Sequence, residues 1–195
     1  MTIGARQKIS AESRSCPIPF SESDRILLGH GSGGKQTHRL VREIFRHHFD
    51  NPALAAGNDA AHTPIPAGQA LAISTDCHVV KPLFFPGGDI GKLAVCGTVN
   101  DVAMLGADPL YLTAGFILEE GLLLADLEKI AGSMQFAAEA AGVFIVAGDT
   151  KVVEQGSCDG MYIATAGVGV VRDGIDIRGA NARPGDIVIL SGPIG

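Results

Sequence analysis

The sequence predicts an α+β (mixed α/β) domain built around a mixed sheet. Apolar runs of strand length recur at residues 70–74, 111–118, 143–147 and 161–171. Amphipathic stretches of helical period lie between them, at residues 89–105 and 123–141. Because strands and helices alternate without settling into a strict repeat, both parallel and antiparallel pairing is expected in one sheet.

Residues 1–23 carry no sustained hydrophobic period and are predicted to be a flexible tail, with the domain occupying residues 24–195. A first helix is predicted over residues 36–49, followed by a loop over 51–68. His38, His47 and His48 lie on that helix. They are read either as metal ligands or as part of a solvated face, and the second reading is favoured because no carboxylate or cysteine completes a set.

Strands are predicted next at residues 70–74 and 78–85, with a turn at 86–88. Asp89 is placed to cap the helix that runs to about Leu105. Asp101 falls in the stripe of that helix that is otherwise apolar or small. A buried carboxylate is costly unless a cation or several donors satisfy it, so Asp101 is either a ligand or a capped or ion-paired core residue.

The second half of the domain is predicted from simpler signals. A strand at 111–118 precedes a helix with apolar residues on one face, and Gly142 is expected to end that helix. Further strands are predicted at 143–147, 161–171 and 186–190.

Composition limits the classes of function. The net charge is −6 and the 15 Lys and Arg residues are scattered, which argues against nucleic acid as a main partner. No apolar run is long enough to span a membrane. Cys16, Cys77, Cys96 and Cys158 show no zinc-type spacing and are interpreted as structural residues of a cytoplasmic protein.

Four acidic residues stand where apolar or glycine-rich stretches end or bend: Asp59, Asp76, Asp101 and Asp149. Asp76 and Asp149 each follow a predicted buried strand, so both carboxylates are expected at one end of the sheet. Carboxylates that crowd together stay ionised when a cation joins them. The sequence therefore predicts a Mg²⁺ site and, through Mg²⁺, a nucleotide site.

Residues 29–35, GHGSGGK, partly match both the dinucleotide fingerprint and the phosphate-binding P-loop. Gln36 stands where the P-loop requires Ser or Thr, and no acid follows at the next strand end, so neither match is complete. Both motifs bind anions in the same way, and this segment keeps that capacity: glycines before a helix present amides to an anion, and Lys35 adds positive charge. A merely flexible loop is the alternative.

Six segments in order resemble the HypE family of hydrogenase maturation proteins, within the aminoimidazole ribonucleotide synthetase superfamily. They are GSGGK at 31–35, STD at 74–76, FFPGGDIGKLA at 84–94, GTVNDVA at 97–103, GFILEEG at 115–121 and GDTKVV at 148–153. The resemblance implies an N-terminal ATP-binding and dimerisation domain, whose sheet forms a barrel across a homodimer.

The resemblance also implies an activity. A C-terminal cysteine, which belongs to a second domain absent from this chain, receives a carbamoyl group from the carbamoyltransferase HypF. ATP then drives its dehydration to a thiocyanate, and the HypC–HypD complex accepts the cyanide for [NiFe]-hydrogenase. Such a chain is expected to bind ATP without completing the reaction alone. A phosphotransferase of the same superfamily and a partner-binding module without catalysis are the alternatives.

The resemblance assigns roles to individual residues. The four acids serve Mg²⁺ and phosphate, with Asn58 standing where the family usually has a further Asp. The ATP and phosphate contacts fall on Gly33, Gly34, Lys35, Asn100 and Thr150. Lys151 is the candidate catalytic residue, which stabilises charge or transfers a proton near the thiocarboxamide.

Overall fold

The computed structural model describes residues 25–58, 60–190 and 192. Five helices, two of them single turns, are α1 (Lys35–Leu40), α2 (Arg46–His48), α3 (Pro52–Ala55), α4 (Ile90–Ala103) and α5 (Leu124–Ala141). A π-helical stretch, Val41–Phe45, joins α1 to α2. The strands are β1 (Leu71–His78), β2 (Phe84–Phe85), β3 (Gly88–Asp89), β4 (Ala107–Glu119), β5 (Phe144–Val153) and β6 (Met161–Val171).

The main sheet has four strands in the order β1-β6-β4-β5. β6 pairs antiparallel with both β1 and β4, whereas β4 and β5 are parallel and are joined through α5. Parallel neighbours need such a crossover, because a tight hairpin can join only antiparallel strands. The prediction of an α+β domain with a mixed sheet is confirmed.

One face of the sheet is covered by helices. α4 packs against α5, β1, β4 and β6. The core between these layers includes the fully buried Ile90, Leu112, Leu118, Ile130 and Met134. None of the helices in the described part of the chain covers the other face, and Ile73 on β1 and Ile117 on β4 are 67% and 41% exposed there.

Local signals placed the two long helices correctly. The Asp89 carboxylate accepts hydrogen bonds from the amides of Gly91 and Lys92, so it caps α4 as predicted. α5 ends at Gly142, whose φ of 69° is the left-handed conformation that favours glycine. The first helix was predicted as one element over 36–49, and α1, the π-helical stretch and α2 together fill that range.

Two predicted strands are wrong. Residues 79–83 contain no strand, and only Phe84–Phe85 pairs, with Gly88–Asp89. Pro82 lacks the amide donor that a strand interior requires. Residues 186–190 are not a strand either, because an apolar run forms a strand only where another strand pairs with it. Ile187 and Val188 are instead 86% and 93% exposed.

Candidate functional site

A seam between β1 and α4 holds the first group of predicted site residues. Ser74, Asp76 and His78 lie on the same face of β1, because side chains two apart in a strand point to one side. That face is turned toward α4. A Cβ placed on Gly97 of α4 would lie 3.2 Å from Oδ2 of Asp76 and 2.9 Å from Nε2 of His78. Glycine therefore lets the strand approach the helix closely here.

The Asp76 carboxylate is held from two sides. Oδ1 accepts a hydrogen bond of 2.8 Å from the amide of Cys77. Oδ2 lies 3.1 Å from Nε2 of His78. The Asp76 side chain is 42% exposed and the His78 side chain only 6%. The carboxylate thus stands at the surface over a buried imidazole, with lone pairs still open to solvent.

Asp101 joins the same seam from the helix. The Ser74 hydroxyl donates a hydrogen bond of 3.0 Å to Oδ2 of Asp101. Because Gly97 and Asp101 are four residues apart on α4, they lie on one face of the helix. The expectation that Asp101 is buried is wrong: it is exposed, as is Asn100 beside it. The buried stripe of α4 runs instead through Ala94, Thr98 and Val102.

The donors of the seam suit a hard cation. Asp76, Asp101 and Ser74 present oxygen atoms, and Asn100 adds an amide next to them. Mg²⁺ keeps several waters and is commonly held by one or two carboxylates together with substrate phosphates. Two exposed carboxylates flanking one seam therefore fit Mg²⁺ carried by a nucleotide, without a closed cage of protein ligands.

The second group lies on β5, at the opposite edge of the sheet. Asp149, Thr150 and Lys151 are in the middle of β5, so the prediction that this strand ends at Asp149 is wrong. Asp76 likewise lies inside β1 rather than at its end. Asp149 pairs with Gly115, and Lys151 pairs with Ile117, on β4. Asp149 and Lys151 are exposed and Thr150 is half-buried.

The glycine-rich loop packs against this second group. A 3₁₀ turn, Leu28–Gly31, places Gly31 so close to β5 that a Cβ there would lie 2.6 Å from the amide nitrogen of Val152. Gly33 has φ of 77°, and its amide donates to the Thr37 hydroxyl at 3.0 Å. Lys35 begins α1 and is exposed. Gly31 thus brings the start of this loop against the strand that carries Thr150 and Lys151.

A cavity of about 140 Å³ opens between the first helical segment and the edge formed by β4 and β5. Its walls are largely apolar and include Phe45, Phe116 and Ile145. Thr37, Asp149 and Thr150 also line it. Thr37 was not predicted from the sequence, because the P-loop pattern requires a hydroxyl directly after Lys35. Thr37 lies two residues after Lys35, and the first turn of α1 points its side chain back at the loop.

The two groups are well separated within one chain. Asp76 pairs with Thr165, Thr165 with Ala114, and Ala114 with Gly148, the residue before Asp149. Three strand spacings therefore separate them, or about 14 Å. Within residues 25–58 and 60–190, no three His, Cys, Asp or Glu side chains gather as a metal site. Asp59, the fourth predicted ligand, lies outside the described residues.

The surroundings of Cys158 do not activate its thiol. Cys77, Cys96 and Cys158 are free thiols. Burial raises the pKa of the Cys158 thiol, and the nearby charges of Glu119 and Asp159 raise it further. A higher pKa lowers the thiolate fraction near neutral pH. Among the described residues, no helix is long and apolar enough to cross a bilayer.

Comparisons with known proteins place the chain in a family. Residues 57–171 match the family model described as AIR synthase related protein, N-terminal domain. Carbamoyl dehydratase HypE of Cupriavidus necator is 60% identical over 174 residues, which cover 89% of this chain and 50% of that protein. The chain spans about half the length of the curated relatives that it matches.

Solved structures show the same likeness. A crystal structure of hydrogenase maturation protein HypE in complex with ATP superposes with a TM-score of 0.73 at 58% identity, covering 75% of this chain and 43% of that one. A structure of a HypE–HypF complex matches with a TM-score of 0.55 at 57% identity, covering 70% and 44%. The match to the family model extends over more than half of the sequence, and this chain belongs to the AIR synthase related proteins, of which it contains the N-terminal domain.

Proposed function

We propose that this chain is the ATP-binding and dimerisation half of an ATP-dependent carbamoyl dehydratase that supplies cyanide to the iron of [NiFe]-hydrogenase. The observation that supports it most is the placement of Asp76 on β1 and Asp101 on α4 along the same β1–α4 seam, at the surface of a fold shared with an ATP-bound relative. The location is the cytoplasm, and neither nucleic acid nor a membrane is a partner.

The reaction concerns a carbamoyl group on a cysteine thiol in the other half of the protein. The carboxamide oxygen attacks the γ-phosphorus of ATP and releases ADP. The C–O bond then breaks, phosphate leaves with the oxygen, and the nitrogen loses both protons to give the thiocyanate. An amide oxygen is a poor leaving group and a phosphate is a good one, so the protein's task is positioning and charge stabilisation.

The β1–α4 seam would hold the cation. Asp76 and Asp101 contribute carboxylate oxygens, and Asn100 a polar contact; Asp59 is the further ligand proposed from the sequence. Bound Mg²⁺ neutralises charge on the phosphate oxygens.

The β5 edge would hold the phosphates and the developing charge. The glycine-rich loop reaches this edge through Gly31, which packs on Val152. The phosphate contacts proposed from the sequence, at Gly33, Gly34, Lys35 and Thr150, would come from this loop and from β5. Lys151 is the proposed catalytic residue on the same edge. It stands one register position from Thr150, on a rigid strand rather than on a loop.

A second copy of the chain would bring the two edges together. The uncovered face of the sheet carries exposed Ile73 and Ile117, and a sheet that closes into a barrel with a second sheet buries such a face. Closure also pairs an outer strand of the sheet, such as β1, with a strand of the partner. We infer a homodimer with ATP near its interface. The β1–α4 seam and the β5 edge are about 14 Å apart in one chain, and residues of the second chain would complete the site at the interface.

We expect sedimentation velocity to show a dimer that persists on dilution. Ile73→Glu should shift the chain to monomer, because it puts a charge in the middle of the proposed buried face. Ile187→Glu is the matched control, since Ile187 is also exposed but lies outside the sheet. A monomeric wild-type chain, or equal behaviour of the two variants, would contradict the shared barrel.

The activity itself is tested by joining this chain to the C-terminal half of the Cupriavidus necator relative and carbamoylating it with HypF. Intact mass spectrometry should show loss of one water only when ATP is present. The 195-residue chain alone should acquire neither modification. Phosphorylation of an added small molecule instead would favour a phosphotransferase, and binding to HypF or HypC–HypD without nucleotide binding would favour a partner-binding module.

A further inference from the structure

His78 is a buried imidazole whose hydrogen-bonding capacity is not used. It is the last residue of β1 and is only 6% exposed. Neither Nδ1 nor Nε2 makes an aligned hydrogen bond within the described structure. Buried polar atoms are nearly always paired, so a ring with two unpaired nitrogens at the edge of a proposed site calls for a functional explanation.

The Asp76 carboxylate lies close to this ring. Nε2 of His78 lies 3.1 Å from Oδ2 of Asp76, at hydrogen-bonding distance but without the alignment of a hydrogen bond. Gly97 leaves the space that both groups occupy, because a Cβ there would lie 2.9 Å from Nε2 and 3.2 Å from Oδ2. The three residues therefore form one packed contact, and a larger residue at position 97 would push into it.

The contact restricts how the carboxylate can turn. The Cys77 amide holds Oδ1 at 2.8 Å, while the ring faces Oδ2 from the buried side. With the backbone on one side and the imidazole on the other, the remaining lone pairs of Asp76 are left open to solvent. A ligand that is oriented before the cation arrives loses less freedom when it binds.

We propose that His78 is a positioning residue that holds the Asp76 carboxylate in the orientation needed to bind the cation of a nucleotide. This inference rests on the proposed function. His78 acts from behind the carboxylate and touches neither cation nor nucleotide, as outer groups around metal ligands commonly do. A modest rotation of the ring would align Nε2–H with Oδ2 when the cation draws the carboxylate into place.

A matched pair of variants separates the donor from the bulk of the ring. His78→Gln places an amide N–H near the position of Nε2, and His78→Met fills similar space without a donor. Calorimetric titration with ATP, in Mg²⁺ and in EDTA, gives for each variant the ratio of the two affinities. We expect His78→Met to lower this ratio about tenfold or more, since loss of such outer groups costs 10- to 100-fold in metal affinity, and His78→Gln to stay within about threefold of wild type.

Binding in EDTA should be the same in all three proteins, which reports that the nucleotide pocket is intact. Should His78→Met fail to fold, Gly97→Ala approaches the same contact from α4 and should lower the ratio likewise. An unchanged ratio in His78→Met or in Gly97→Ala, or an equal loss in His78→Gln, overturns the positioning role. Absence of Mg²⁺-dependent binding in the wild-type chain overturns the proposed function first, and this inference with it.

Discussion

Replacing Asp76 with asparagine should lower the affinity of this chain for ATP in the presence of Mg²⁺ by roughly 100-fold, or about 2.7 kcal/mol. The asparagine side chain keeps the size of aspartate and the contact with the Cys77 amide, but it removes the negative charge that faces the cation. In EDTA the affinity should not fall, because the lost interaction is with the metal and one carboxylate that repels the phosphates is gone. Isothermal titration calorimetry measures both values.

Asp126→Asn is the matched control for this prediction. Asp126 lies in the first turn of α5, 4.0 Å from Lys129, away from the β1–α4 seam. Its replacement should leave both affinities within about twofold of wild type, since exposed ion pairs contribute little. Similar losses in Asp76→Asn and Asp126→Asn would remove Asp76 from the metal site.

Replacing Lys151 with alanine should slow dehydration by about 10²- to 10³-fold in the protein joined to its second half, while ATP affinity changes less than about threefold. The reason is that a cation placed where charge develops contributes mainly in the transition state. Lys151 is exposed on β5 and is held by the strand opposite Ile117, so its removal leaves the core intact. Single-turnover mass spectrometry of the carbamoylated protein gives the rate.

Lys151→Arg distinguishes charge from proton transfer. Arginine keeps the positive charge but does not give up its proton near neutral pH. A rate restored by arginine indicates charge stabilisation, and a rate as low as that of alanine indicates proton transfer. If alanine leaves the dehydration rate unchanged, Lys151 has neither role.

The elements best predicted from the sequence were those fixed by short-range signals. The Asp89 cap, the Gly142 stop and the strand Met161–Val171 each depend on residues close together in the chain, and each was confirmed. The strand predicted at residues 186–190 failed for the opposite reason. A strand forms only when it pairs with a neighbouring strand, and an apolar run in the sequence does not show whether such a neighbour exists.

The sequence predicted candidate residues of the site but not how the fold arranges them. Asp76 and Asp149 looked alike in sequence, each following an apolar run, yet β1 and β5 are opposite edges of the sheet. Strand order depends on long-range pairing, which local pattern does not contain. For the same reason His78 was missed, because its significance comes from Gly97, a residue 19 positions later that only the packing of α4 on β1 brings near.

A single titration shows whether this chain binds ATP through a metal. Wild-type protein is titrated with ATP by calorimetry in Mg²⁺, and the titration is repeated after EDTA. We expect saturable binding in Mg²⁺ that weakens at least tenfold in EDTA, because the paired carboxylates of the β1–α4 seam would otherwise repel the phosphates. Equal binding in both conditions, or no binding in either while the chain remains folded and dimeric, would contradict ATP binding through a metal.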